Sequence, residues 1–163
     1  MFPESITSEE TSTNEKLYNI ISDSEYIRKT PNYDFNKNKT VIKDGNVEIV
    51  EDYQNVRNWI IKFLITPIDI VPIYQGTGFG TSAYKLRGYK SISGLMYAQI
   101  KSEIENGFKL NPNILQVLDV GIEKDDTSLV ISVKVKLQDG YILEEKTEVY
   151  NLKLQSKYRT KQS

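Results

Sequence analysis

The chain has 163 residues, 39% hydrophobic and 26% charged, which predicts one folded domain with a substantial core. Its 21 Lys and Arg residues against 22 Asp and Glu residues give a net charge of −1, which argues against a protein that binds nucleic acid by bulk electrostatics. Cysteine and histidine are absent, which excludes disulfides, the usual zinc ligands and the commonest general base. We therefore expect a non-enzyme without a metal or cofactor.

Residues 1–38 are predicted to form an extended arm, because Ser, Thr, Glu and Asn dominate there. One apolar cluster, Leu17–Ile27, interrupts it, and Asn14 is placed to cap a short helix. The alternatives are a partly ordered tail and an arm that becomes ordered on a neighbour. No signal-peptide pattern is present, and the apolar run Trp59–Ile65 is too short to cross a bilayer, so we expect a cytoplasmic product without membrane contact.

Residues 40–50 predict a β-hairpin, because two β-branched runs flank Asp44-Gly45. The next segment predicts a helix with Asp52 as its N-cap and Pro67 beyond its end. Its apolar residues recur at helical spacing and are expected in the core: Val56, Trp59, Ile60, Phe63 and Leu64.

The last part of the chain predicts a second helix and then a β-meander. The helix runs from Ser91 or Ile92 to Asn106, with Gly107 as its C-terminal stop. Three β-rich runs follow, and the middle one alternates apolar and polar side chains as a half-buried strand does.

These elements indicate an α+β protein with two helices packed on a mixed, mainly antiparallel sheet that ends in a β-meander. The expected organisation is an arm over residues 1–38, a domain over 39–152 and a basic tail over 153–163. The tail is interpreted as a solvated end, since charge runs usually are.

Residues 66–88, called the elbow below, combine glycines, prolines and cations: Gly76, Gly78, Gly80, Pro67, Pro72, Lys85 and Arg87. Glycines before cations can indicate a phosphate-binding loop. However, Thr81 follows Gly80 where a P-loop has Lys, and the dinucleotide-binding pattern fails at the same position. The elbow is therefore interpreted as a structural bend.

The order of elements resembles the small, lysozyme-like baseplate wedge protein of contractile phage tails, protein W. The residues that carry the resemblance are YDFNKNKTVIKDGNVEIVEDYQNVRNWIIKFLITP and VPIYQGTGFGTSAYKLRG, and it covers roughly residues 33–150. It is similar to the form in Gram-positive phages, defective prophages and phage-tail-like bacteriocins. Relatives often carry Glu-Pro-Arg or Thr-Glu-Arg after the first helix, whereas this chain has Thr66-Pro67-Ile68-Asp69. Asp69 or Arg57 would then have to make the family's charged contact.

The resemblance implies a structural role in the baseplate of a virion or tail-like particle, made in the host cytoplasm. The implied partners are larger baseplate wedge subunits and the tail sheath protein, with tube or hub proteins as further candidates, and neither nucleic acid nor membrane. The implied mechanism is that an open sheet edge accepts a strand of the first sheath layer. The lysozyme label does not imply activity.

We expect the partner-binding residues in the elbow: Pro67, Asp69, Pro72, Tyr74, Lys85 and Arg87. The alternative is that Tyr74, Phe79 and Tyr84 cover the protein's own core, which is the favoured interpretation for Phe79. In the meander, strands 114–124 and 141–150 are expected at the edges. The acidic and basic side chains of the latter would hinder self-association.

Two other functions are weighed against assembly. A carboxylate-dependent cell-wall hydrolase would use acids such as Glu48, Glu51 and Asp52, which fit a hairpin end and a helix cap at least as well. A nucleic-acid-binding module would depend on the tail cations between Lys153 and Lys161 alone.

Overall fold

The computed structural model describes residues 29–151. The predicted arm helix and the basic tail lie outside these residues. The chain divides into two compact units between Asn55 and Val56, which differs from the boundary expected at residue 38. Each unit has its own sheet structure.

The first unit contains three short antiparallel strand pairs, and each strand is two residues long. These are β1 (Thr30–Pro31) with β6 (Ile49–Val50), β2 (Tyr33–Asp34) with β3 (Lys39–Thr40), and β4 (Ile42–Lys43) with β5 (Asn46–Val47). Residues 30–34, expected in the arm, therefore pair with residues 39–40 and 49–50.

A ring of three backbone hydrogen bonds joins these ladders. The N–H of Asn32 donates to the C=O of Glu48 (2.7 Å), that of Glu48 to Val41 (2.9 Å), and that of Val41 to Asn32 (2.9 Å). The predicted hairpin is confirmed: Asp44 and Gly45 connect β4 to β5 with φ of 50° and 80°, the left-handed values that an Asp-Gly turn supplies.

Helix α1 (Asp52–Ile65) buries four of the five residues predicted to face the core, namely Val56, Ile60, Phe63 and Leu64. Trp59 is only partly buried, because it lies at the margin of an aromatic cluster formed with Phe63, Phe79 and Phe108, with ring centroids 5.5–5.7 Å from its own. Edge-to-face contacts dominate this cluster, as expected from the charge distribution of aromatic rings.

Helix α2 (Gly94–Gly107) begins at Ser93, whose hydroxyl accepts the N–H of Met96. The helix ends at Gly107, one residue beyond the predicted Asn106, but this glycine is not in the left-handed conformation common at such stops: its φ is −67°, and a short turn, Phe108–Leu110, follows it. Its smallness serves packing instead: a Cβ there would clash with the ring of Phe63.

The second unit also contains a three-stranded antiparallel sheet in the order β7 (Ile114–Lys124), β8 (Ser128–Leu137), β9 (Ile142–Asn151). The prediction that the alternating strand is central is confirmed. Its buried side chains, Leu129, Ile131, Val133, Val135 and Leu137, share one core with α1 and α2. The α+β class is thus confirmed, and among the described residues parallel pairing is limited to one isolated bridge between Pro67 and Thr81.

Candidate functional site

The outer edge of β9 is regular over residues 142–148 and is not paired with any strand of residues 29–151. Its register with β8 is unbroken from Lys136↔Ile142 to Val130↔Glu148. One register shift follows at Val149, between Val130↔Glu148 and Leu129↔Tyr150. The N–H of Leu137 donates to the C=O of Tyr141 (2.8 Å), and antiparallel pairing alternates along the strand. Residues 143, 145 and 147 therefore direct their backbone groups toward β8, whereas residues 142, 144 and 146 direct theirs outward.

The outer edge of β7 is irregular by comparison. Two register shifts interrupt its pairing with β8, between Ile114 and Gln116 and between Val117 and Asp119. The inserted residues are Leu115 and Leu118. Such bulges bend an edge and interrupt its pairing, so this part of β7 is a poor template for another strand.

A side chain also occupies the β7 edge farther along. The N–H of Asp125 donates to the C=O of Ser128, so the alternation directs the backbone groups of Val120 outward. The hydroxyl of Tyr97 on α2 donates to that outward carbonyl at 2.6 Å. The two edges of one sheet therefore differ, and β9 presents the longer regular run.

Charged side chains line β9. The Glu144 carboxylate lies 2.6 Å from the Lys134 ammonium, and Lys146 lies 3.0 Å from Glu123. These pairs are exposed and contribute little to stability, but they place charge along the strand. Burial raises the pKa of Glu145, and its ion pair with Arg57 (2.9 Å) partly offsets that rise. Arg57, a candidate for the family's charged contact, is thus engaged within its own unit.

The elbow is held by backbone hydrogen bonds between its two ends. The N–H of Thr81 donates to the C=O of Thr66 (2.9 Å), and the N–H of Ile68 donates to the C=O of Thr81 (3.0 Å). Gly80, with φ of 112°, lies so close to this crossing that a Cβ would be 2.6 Å from the Thr66 carbonyl oxygen. Here the glycine is required both for its conformation and for its size.

Four of the predicted partner-binding residues lie in the first half of the elbow. Pro67 is partly buried in the bridge to Thr81, and Pro72 is exposed at the start of a short turn, Pro72–Tyr74. Asp69 is exposed with φ of 59°, and its carboxylate accepts the N–H of Gly76 at 3.0 Å. Tyr74 is partly buried, and its ring packs 4.5 Å from that of Phe79.

The favoured interpretation of Phe79 as a core residue is confirmed, since it is buried within the aromatic cluster. Sequence reasoning overlooked two exposed apolar residues between Asp69 and Tyr74, namely Ile70 and Ile73, of which Ile73 is 78% exposed. A solvent-exposed isoleucine is not distinguishable from a core isoleucine by residue type. Strict helical or strand periodicity, the signal that could have separated them, is missing in the elbow.

Of the other two predicted residues, Lys85 lies within a second short turn, Ala83–Leu86, and Arg87 follows it; Ala83 and Leu86 are buried. The Lys85 ammonium lies 5.8 Å from the ring centroid of Tyr84. The Arg87 guanidinium lies 5.2 Å from that of Tyr150 on β9. Burial raises the pKa of the Tyr150 phenol, and the positive charge of Arg87 partly offsets that rise.

The carboxylates considered for hydrolysis have structural roles in the first unit. Glu48 accepts the side-chain amide of Asn32 (2.6 Å), Glu51 lies 3.2 Å from Lys29, and Asp52 begins α1. Among residues 29–151, no group of three or more acidic side chains could hold a metal ion. No helix of that range is long and apolar enough to span a membrane.

Comparisons with known proteins give one structural likeness and one family. A solved structure described as a "putative tail lysozyme" from Geobacter sulfurreducens is 16% identical, with a TM-score of 0.48 over 60% of this chain and 89% of that one. A likeness of that size carries no argument. No curated protein sequence matches. The profile of the contractile injection system sheath initiators matches residues 29–140, well over half of the chain. The chain belongs to the contractile injection system sheath initiator family.

Proposed function

We propose that the protein is a baseplate wedge subunit, of the protein W type found in Gram-positive phages and phage-tail-like bacteriocins, that joins larger wedge subunits and starts the sheath by β-strand addition. The observation that carries this proposal is the regular run of residues 142–148 on the outer edge of β9, compared with two register shifts in β7. Membership in the sheath initiator family supports a structural role in a tail particle.

Strand addition needs backbone N–H and C=O groups at strand spacing along one edge. The outward groups of residues 142 and 144 and the outward C=O of Lys146 provide them, because the register is unbroken there. The N–H of Lys146 donates to the Glu145 carboxylate, and an incoming strand would have to replace that bond. An incoming arm of the sheath protein would gain affinity from these backbone bonds and specificity from the adjacent side chains. Glu144 and Lys146 are exposed and charged, which disfavours pairing between two identical edges that lack a complementary partner.

The experiment that tests this proposal removes one outward donor. Glu144→Pro deletes an N–H that is not directed toward β8, and proline is tolerated at such edge positions. Glu144→Ala is the matched control, because it removes the same carboxylate and its ion pair with Lys134 but keeps the N–H. Both variants are expected to fold with nearly the same thermal stability.

Tails assembled with Glu144→Pro should contain complete baseplates but few sheaths, whereas Glu144→Ala tails should carry sheaths at the normal yield. Electron microscopy of purified particles measures both. Sheaths of normal number and length on Glu144→Pro baseplates would show that β9 does not receive a strand.

For the wedge contacts, we propose the elbow. Its exposed members, Asp69, Pro72, Lys85 and Arg87, lie on a segment whose backbone is fixed by its own hydrogen bonds. A rigid segment loses little conformational entropy on binding, which favours its use as a contact surface. Co-purification of baseplate proteins with elbow variants tests this part of the proposal separately from sheath formation.

A further inference from the structure

The second half of the elbow carries an unbalanced positive charge. No acidic residue occurs between Asp69 and Glu103, although the chain as a whole has 22 acids and a net charge of −1. Three exposed cations lie close together in this stretch: Lys85, Arg87 and Lys90. Residues 84–90 are called the basic turn below.

The cations of the basic turn have no carboxylate within ion-pair distance among the described residues. Six other cations in that part of the chain do have one: Lys29, Lys37, Arg57, Lys101, Lys134 and Lys146. Six further lysines of the described residues also lack an ion pair, so what distinguishes the basic turn is that three such cations lie within six residues, from Lys85 to Lys90.

The nearest acid along the chain is committed elsewhere. One carboxylate oxygen of Glu103 on α2 accepts both the N–H (2.7 Å) and the hydroxyl (2.9 Å) of Ser82. Its other oxygen accepts the side-chain amide of Gln99 at 3.0 Å. Glu103 thus links Ser82, which precedes the basic turn, to α2, and both of its carboxylate oxygens accept hydrogen bonds there.

The basic turn is also held in place. The buried side chains of Ala83 and Leu86 anchor the short helix Ala83–Leu86, which forms the start of the basic turn, and the aromatic rings of Tyr84 and Tyr150 lie near Lys85 and Arg87. A guanidinium near a ring face can still offer the N–H donors at its edge to a carboxylate in a bidentate pair. Less rotamer freedom is then lost when a ligand binds.

We infer that the basic turn is a docking site for an acidic segment of a partner protein, with Arg87 as the receptor of one carboxylate and Lys85 and Lys90 beside it. This inference rests on the proposed function: in a tail particle, the partner is another subunit of the same particle. Three cations on one turn match a short acidic peptide, whereas a nucleic acid is usually bound along an extended basic groove or stripe.

The test uses the full chain and a fluorescein-labelled decaglutamate peptide as the probe. Fluorescence anisotropy at low salt measures affinity, and NMR amide shifts locate the site. We expect shifts centred on residues 84–90. We also expect affinity to fall roughly tenfold or more in Lys85→Gln/Arg87→Gln, because two charge-assisted contacts are lost. Arg87→Lys should restore part of the affinity, since it keeps the charge but not the bidentate geometry.

Lys109→Gln is the matched control. Lys109 is likewise an exposed lysine on a short turn anchored by a buried residue, Phe108, but it lies outside the acid-free stretch. Its replacement removes one positive charge, where the double variant removes two, and should leave the affinity within about twofold, as expected of a lysine outside the proposed site.

Shifts spread over the surface, or equal loss with Lys109→Gln, would overturn the inference. Tighter binding of a labelled single-stranded oligonucleotide at the same turn would overturn it too and assign the site to nucleic acid. The Glu144→Pro variant should bind decaglutamate normally. Failure of the strand-addition proposal and failure of this one are therefore distinguishable.

Discussion

The two β-regions of this protein differ in the length of their strand pairing and in the edges that this pairing leaves. In residues 30–50, pairing is divided among three ladders of two residues joined by a ring of backbone hydrogen bonds. In the β7–β9 sheet, pairing runs along strands of ten or eleven residues, and β9 keeps a regular outer side.

The difference shows which region could serve as a template. A ladder of two residues is too short to align an added strand, and short edges are one way in which proteins avoid unwanted pairing. The β9 edge is long and regularly paired with β8. Its charged side chains disfavour self-association without covering the outward backbone groups of residues 142 and 144. Within the described residues, strand addition is therefore expected at β9 and not among residues 30–50.

Hydrogen exchange should give the sharpest contrast. The amides of residues 143, 145 and 147 should exchange through opening of the sheet, which costs up to the global stability of about 5–15 kcal/mol. The outward amides of Ile142 and Glu144 should exchange nearly as fast as in an unfolded chain. NMR on the isolated protein measures both sets. Slow exchange at the outward amides would mean that the β9 edge is already covered.

Truncating one isoleucine in each region should have very different effects on stability. Ile131 on β8 is fully buried, so Ile131→Ala should cost about 2–5 kcal/mol of unfolding free energy. Ile42 on β4 is 67% exposed, so Ile42→Ala should cost less than about 0.5 kcal/mol. Urea denaturation measures both. Comparable losses would contradict the burial of Ile131 or the exposure of Ile42.

Each region has a turn that ends in a glycine of positive φ, Gly45 (80°) and Gly140 (88°), and at both positions an added methyl group would meet only open space. Alanine at either position should therefore cost backbone strain alone, about 1–2 kcal/mol. Trp59, the only tryptophan, lies in the second unit and reports its unfolding by fluorescence.

Gly140→Ala should lower the urea midpoint seen by Trp59, whereas Gly45→Ala should leave it nearly unchanged if the two units unfold separately. Equal shifts would instead show that both units unfold as one cooperative structure, and the contrast between the regions would then concern their edges and not their stability.

The smallest expected effect is the pH dependence of stability contributed by one turn aspartate in each region, Asp34 and Asp125. Hydrogen bonds from Thr127 and Ser128 lower the pKa of Asp125 to about 2, and the N–H of Lys37 is the main cause of a lowered pKa at Asp34. Because folding favours both carboxylates, their contribution to stability is complete above the ordinary pKa of 3.8 and is lost as pH falls through the lowered values. Carbon-13 NMR titration should show both midpoints below 3.8, and Ser128→Ala should raise that of Asp125 only.

Much of the fold was predictable because its determinants are local. The Asp44-Gly45 turn, the apolar stripe of α1 and the alternation of β8 each specify structure within a few residues. The bulges of β7 were not predictable, since Leu115 and Leu118 are apolar yet exposed and interrupt the alternation without a glycine to mark them.

The elbow was only partly predictable for a similar reason. Its glycines indicated a bend, but its shape depends on nonlocal bonds, from Thr81 to Thr66 and from Ser82 to Glu103. Gly107 shows the limit most clearly: from sequence, a glycine at a helix end signals a left-handed cap, and only the position of the Phe63 ring reveals that it is needed for space.

The two bulges of β7 also limit the number of strands that can be added to the sheet. A sheet with two equivalent edges can accept a strand at each edge and can therefore be extended in both directions, as in a fibril. The β7 edge is bent by its two bulges, and the C=O of Val120 is bonded to Tyr97, so only the β9 edge is left for an added strand. If strand addition occurs as proposed, each copy of the protein accepts one strand and passes none to a further copy, so each copy receives one sheath arm.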